Sequence, residues 1–230
     1  MVRLVRPAEP ARLIRHGGRW TKRWTDSLNN GERIEWATRV AKATLRGPLL
    51  AFAYGKCAFC ENTLNLTSFI EIEHYHSKIV RPQLVFDWHN LFPICGMCNQ
   101  TKGDVDHDGR LLKPDTEDPE VLLWLHPGTG ELQPHPTLDE ATAHRVLETA
   151  TAYDLQRGQL CAARIRTMEE VNRWLRRVAR ENPISEESSQ QWNAMVHPSA
   201  PLKFVIRHVL TLSGQGDLAE TDRRAFLGAV

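Results

Sequence analysis

The chain lacks any apolar run long enough to span a bilayer, and its opening residues, Met1-Val-Arg-Leu-Val-Arg-Pro7, lack the apolar core of a secretory leader. A cytoplasmic location, with no membrane association, is therefore expected. Internal repeats and low-complexity tracts are absent, as is a Walker A phosphate loop, so ATP hydrolysis by this chain itself is not expected. Net charge is nearly absent too, only +1 over 230 residues. That sum argues against a nucleic-acid binder, but its distribution argues the other way. The first fifty residues are basic (Arg3, Arg6, Arg12, Arg15, Arg19, Lys22, Arg23, Arg33, Arg39, Lys42, Arg46). Residues 104–154 are acidic, and a later segment ends in Arg173, Arg176, Arg177 and Arg180. Segregation of this kind suits one phosphate-facing surface, although solvated helix faces would look similar.

Residues 1–30 read as an irregular arm broken by Pro7, Pro10 and Gly17-Gly18, with Trp20 and Trp24 as anchors. The spacing of Ile34, Ala37, Val40, Ala41 and Leu45 predicts a helix over 32–46 that stops at Gly47, followed by a short helix over 49–54. Ile70-Glu-Ile-Glu73 alternates as a strand does, and Val85 to Leu91 offers a second extended segment. A short helix over 96–102 follows. Val121-Leu-Leu-Trp-Leu125 and Glu131-Leu-Gln133, around Pro127-Gly-Thr-Gly130, predict a hairpin. Helices are expected over 140–152, 155–180 and 201–212, with a last short one near the end of the chain.

Cysteine is scarce, five residues in all, yet four of them form two CxxC pairs, Cys57-Ala-Phe-Cys60 and Cys95-Gly-Met-Cys98. Each pair presents two thiolates from one tight turn, and two such knuckles complete a tetrahedral zinc shell at about 2.3 Å. A closed shell of this kind makes the zinc structural. Cys161, alone on a helical apolar face, reads as packing.

Between and beside the pairs lie Glu73, His74, His76, Lys78, His89, Asn90, Asn99 and Lys102. Hydrolysis of a phosphodiester needs a base for water, a cation to neutralise phosphoryl and leaving-group charge, and something to hold the base. Glu73 and Asn99 offer hard oxygens for Mg²⁺ or Mn²⁺, and His74 is a base that is neutral near pH 7. Asn90 is placed to fix the His74 backbone or ring, and Lys78 and Lys102 to hold phosphates. Successive residues of a regular strand point to opposite faces. Glu73 and His74 therefore share a site only if the strand ends or bulges there; otherwise Glu71 is a rival ligand and His76 shares the face of His74. His76 and His89 read more simply as surface or packing residues.

Cys57-x-x-Cys60, Glu73-His74, Trp88-x-Asn90-Leu91 and Cys95-x-x-Cys98-Asn99-x-x-Lys102 together resemble the HNH, or ββα-metal, endonucleases in their zinc-bound form. The resemblance implies that Glu73 and Asn99 bind the catalytic divalent ion, that His74 activates water and that Asn90 orients it. Tyr54 to Glu61, Ile72 to Lys78, Phe86 to Leu91, Leu111 to Pro114 and Tyr153-Asp-Leu-Gln-Arg157 are similar to the defence-associated HNH proteins, the PtuB-like nuclease subunits of Septu and retron-linked antiphage systems. One departure is Ser77, where the family pattern usually has proline. This likeness implies an ABC-type ATPase partner in trans; the C-terminal helices, with Trp174, Leu175 and the Trp192 region, are the candidate docking surface for it. The expectation is an α+β, mainly helical chain with a small zinc-stabilised ββα nuclease core at 55–112, packed by an N-terminal part (1–54) and a partner-binding C-terminal part (113–230). The expected reaction is metal-dependent cleavage of double-stranded DNA. Alternatives are a tRNA-like RNA substrate, or a non-catalytic zinc ribbon that binds nucleic acid or scaffolds a partner.

Overall fold

The structure, a computed structural model, describes residues 1–32, 35–64 and 70–228. Helices α1 (Ala11–Asn29) and α2 (Arg39–Phe52) precede strand β1 (Glu71–His74). Two 3-10 turns, Pro82–Leu84 and Trp88–Asn90, lead into strand β2 (Leu91–Ile94) and helix α3 (Gly96–Lys102). A one-turn helix, α4 (Pro119–Leu122), enters a hairpin of β3 (Leu123–Leu125) and β4 (Leu132–Pro134). Helices α5 (Glu140–Ala152), α6 (Gly158–Val178), α7 (Glu186–Val196), α8 (Lys203–Leu212) and α9 (Gly216–Gly228) complete an α+β architecture that is mainly helical, with two small antiparallel sheets. Among the described residues no helix is long and apolar enough to cross a membrane.

The N-terminal region departs most from expectation. Residues 11–29 are helical, not an irregular arm, because Pro10 sits just before the helix and its carbonyl accepts from the amides of Leu13 and Ile14. Gly17 is a packing position there, since a Cβ would lie 3.3 Å from Leu13 Cδ1. The expected helices over 32–46 and 49–54 are one helix, started late by Thr38, whose hydroxyl accepts from Ala41 N at 3.2 Å. Ile34 lies outside the described residues. Pro48 interrupts that helix without ending it. The stripe of Ala41, Leu45, Leu49 and Phe52, all buried, runs across the proline, and its burial outweighs one lost hydrogen bond.

Residues 1–10 are irregular but fastened. The Arg6 guanidinium lies 4.4 Å from the Phe52 ring and 4.5 Å from that of Phe92. It donates to Asp115 at 2.6 Å and to the carbonyls of Trp88 and Leu91 at 2.6 and 3.0 Å.

The second strand begins later than expected, at Leu91, and contains Pro93. Proline is tolerated because β2 pairs on one side only, with β1, in the register Glu73↔Phe92 and His74↔Leu91. The predicted hairpin is present as β3 and β4. Its turn needs glycine at 130, where φ is +71° and a Cβ would lie 2.4 Å from the Cys161 carbonyl oxygen. Helix α7 was not expected; its polar sequence hides the stripe, and Ser185 caps it by accepting from Ser188 N. Trp174, expected at a docking surface, is instead buried, stacked on Trp192 at 5.0 Å and donating to the Ser188 carbonyl at 2.9 Å.

The last two helices are joined by buried charge. Lys203 and Arg207 of α8 meet Asp222 of α9 at 2.5 and 2.7 Å, and Arg207 also meets Glu120 at 2.9 Å. Removing one partner of such a network strands the others without solvent. Asp222→Ala is expected to cost about 3–5 kcal/mol, read as a lowered urea midpoint. An unchanged midpoint would show that the Asp222 pairs with Lys203 and Arg207 contribute nothing to stability.

Candidate metal centre and adjoining cleft

The first cysteine pair follows α2. Cys57 N donates to the Asn62 carbonyl at 2.9 Å and Glu61 N to the Cys57 carbonyl at 3.0 Å, closing a tight loop with Glu61 at φ +61°. The second pair opens α3, with Cys95 in the capping position and Cys98 in the first turn. Ala58 N donates to the Pro93 carbonyl at 3.0 Å, so the knuckles are tied through backbone. The four Sγ atoms all lie within 4.8 Å of one another. Cys60 and Cys95 are 3.7 Å apart, close to the about 3.8 Å edge of a tetrahedron with Zn–S bonds of about 2.3 Å. All four are free thiols. Hydrogen bonds from the other three hold the Cys95 thiol far below its ordinary value, while burial drives Cys57 well above. Arg157 Nη1, 3.6 Å from Cys98 Sγ, adds a positive charge beside the sulfurs. The cluster could bind a metal such as zinc.

Strand β1 ends at His74, and Glu73 and His74 both border one cavity of about 170 Å³ together with Trp36, Lys78, Asn99 and Asp104. Glu73 is only 2 % exposed. Its Oε1 accepts from Lys102 Nζ at 2.7 Å and from the Tyr153 hydroxyl at 3.3 Å. Burial pushes its carboxyl up to about 7, with the Lys102 ammonium opposing. His74 Nε2 lies 3.0 Å from the Val85 carbonyl, and the ring meets Trp36 edge-on at 4.6 Å. A carbonyl only accepts, so Nε2 carries the proton and Nδ1 keeps its lone pair. Burial, then the Lys78 charge, holds the ring down at about 3, neutral near pH 7.

Asn99 donates its Nδ2 to the Glu71 carboxylate, which leaves Oδ1 as its atom for a cation. Glu71, the rival ligand, borders a separate groove beside Cys95 and Gly96. The Asn90 side chain spends its hydrogen bonds on backbone and not on the His74 ring. Its Oδ1 accepts from His76 N at 2.7 Å, and its Nδ2 donates to the carbonyls of His76 and Leu84, both at 3.0 Å. It thereby pins the loop that follows the histidine.

Lys102 is internal, its ammonium held by Glu73 and, at 3.0 Å, by the His74 carbonyl. Lys78 borders the cavity and pairs with Asp104. His76 lies 3.5 Å from Asp106, and His89 is exposed.

Three residues at this cleft escaped sequence reasoning. Tyr153 lies in a tract singled out by resemblance, but nothing there marks its hydroxyl for Glu73. Trp36 and the Val85 carbonyl carry no sequence signal at all.

No protein-family model matches the chain. It is 33 % identical over 123 residues to Septu protein PtuB of Bacillus thuringiensis, a match covering 52 % of this chain and 44 % of that protein. It is 31 % identical over 91 residues to Septu protein PtuB of Bacillus mycoides (strain KBAB4), covering 32 % of this chain and 31 % of that protein. The matched region thus spans less than half the length of either curated relative, and over about half its own length the chain is similar to Septu PtuB proteins.

Proposed function

We propose that this chain is an HNH-type nuclease, a metal-dependent phosphodiester hydrolase acting on double-stranded DNA, and the effector of an antiphage defence complex. The observation that carries the reading is the single cavity bordered by Glu73, His74, Lys78 and Asn99, set on a strand–strand–helix unit beside a four-cysteine cluster. Similarity to Septu PtuB supports the defence role. An ABC-type ATPase in the cytoplasm is the proposed partner in trans.

The Glu73 carboxylate and Asn99 Oδ1 are hard oxygen donors that fit Mg²⁺ or Mn²⁺, which usually takes few protein ligands and keeps several waters. Bound there, the cation supplies charge stabilisation at the phosphoryl and leaving oxygens. The chain's own residues do the rest. His74 Nδ1 takes the proton from the attacking water, and the Val85 carbonyl fixes the ring in the tautomer that can do so. Lys78, on the same cavity, is placed to meet a phosphate oxygen of the substrate beside His74. Lys102 and Tyr153 hold Glu73, and Asn90 holds the backbone after His74.

The test is incubation of the purified chain with plasmid DNA and, separately, with tRNA, in Mg²⁺ or Mn²⁺ and with an EDTA quench. The assay is repeated with the candidate ATPase. Metal-dependent nicking or linearisation of the plasmid is expected. Cleavage of tRNA alone would move the substrate to RNA. No cleavage by a folded, zinc-loaded chain in either setting would overturn the nuclease reading in favour of a zinc-ribbon scaffold.

A further inference from the structure

We propose that the exposed face of α1 is a docking ridge for the phosphate backbone of duplex DNA, delivering it to the cleft at His74. The choice of duplex DNA as occupant rests on the nuclease reading above. At 100° per residue, Arg12, Arg19 and Arg23 fall within an arc of about 40°, with Arg15 at its flank. All four side chains belong to exposed residues, and none enters an ion pair among the described residues. Asp26, the acid of this helix, is held by Lys22 at 2.6 Å. From Arg12 to Arg23 the helix rises about 16 Å, matching about five phosphates of one strand at 3.4 Å each.

Such a row repels itself. His16, in its middle, is held below its ordinary value by desolvation and by Arg19, Arg12 and Arg15. A polyanion relieves this repulsion, which a neutral partner cannot do.

The ridge is mechanically joined to the cleft. Ring contacts run His16–Trp20 (5.6 Å), Trp20–Phe86 (5.4 Å), Phe86–Trp36 (5.5 Å) and Trp36–His74 (4.6 Å). End to end that path is shorter than one turn of duplex, about 34 Å. Arg23 and Trp36 border one small cavity, and Trp36 also borders the cleft. Glu35, beside Arg23, is held by Lys42 at 2.9 Å. On the far side, the Trp24 indole donates to the carbonyl of Lys78, itself a cleft residue, at 3.2 Å. An acidic protein would need only the charges. A duplex also uses their linear spacing and their approach to the base.

The test measures binding, not cutting, of a short fluorescent duplex by anisotropy. It uses His74→Ala protein without added divalent cation, across about 50 to 200 mM salt. In this background the triple variant Arg12→Gln, Arg19→Gln, Arg23→Gln is expected to bind at least tenfold more weakly at the higher salt. Its plot of log affinity against log salt should be shallower by about 2.7, or 0.9 per lost phosphate contact. A control pair on α6, Arg173→Gln with Arg176→Gln, should leave both unchanged. An unchanged slope in the triple variant overturns the ridge, as does binding confined to tRNA or to an acidic peptide. The two readings fail separately. A slope change in a chain that never cuts sinks the nuclease and keeps the ridge, whereas cutting with an unchanged slope does the reverse.

Discussion

Replacing His74 by alanine is expected to slow plasmid cleavage by about 10²–10⁴-fold, the usual worth of a positioned general base. The effect follows from the ring's setting. Its Nε2 hydrogen is committed to the Val85 carbonyl, Trp36 closes one edge, and burial keeps it uncharged near neutrality. Zinc content should not change, because the cysteine cluster shares no ligand with the cleft. His74→Gln, closer in volume, separates loss of the base from loss of packing, and it should be equally slow with a near-native melting temperature. Wild-type cleavage by either variant would remove His74 from the mechanism.

Cys57→Ser and Cys98→Ser are expected to fail at an earlier level, by losing the folded core itself. Structural zinc sites contribute on the order of 10–16 kcal/mol, as large as the whole stability of a typical domain. Here the cluster joins the loop after α2 to the start of α3, and no disulfide substitutes for it. The measurement is zinc stoichiometry beside far-ultraviolet circular dichroism and a thermal melt, for each variant and for wild type treated with a strong chelator. One zinc per wild-type chain, lost together with the cooperative transition, is the expected result. A variant that melts like wild type while holding no zinc would make the cluster dispensable.

Much of the fold was legible because it depends on local spacing. Helix α3 occupies the residues expected of it, the β3–β4 hairpin forms around Pro127 to Gly130, and two CxxC pairs anticipated the thiol cluster. What stayed hidden depends on packing and on partners distant in the chain. Gly17 reads as a helix breaker until Leu13, one turn earlier, is seen to crowd the place of its missing side chain. Pro93 is at odds with a central strand, but among the described residues β2 pairs with β1 alone, so no second strand needs the missing amide. At the cleft, spacing brought Glu73, His74, Lys78 and Asn99 to one cavity but gave no means of assigning the cations. Lys78 and Lys102 look alike as letters, yet one borders the opening and the other is sealed inside against Glu73. Tyr153 reaches Glu73 across 80 positions, beyond any local pattern.

Arg6, clasped between Phe52 and Phe92 just ahead of α1, has a kinetic consequence. Together with the Trp24 indole near the other end of that helix, it sets the arginine row in place before any ligand arrives. Capture by such a preformed row involves no folding step and no search through arm conformations. Its speed is then governed by diffusion and by the protein's field, and salt acts first on the rate of encounter.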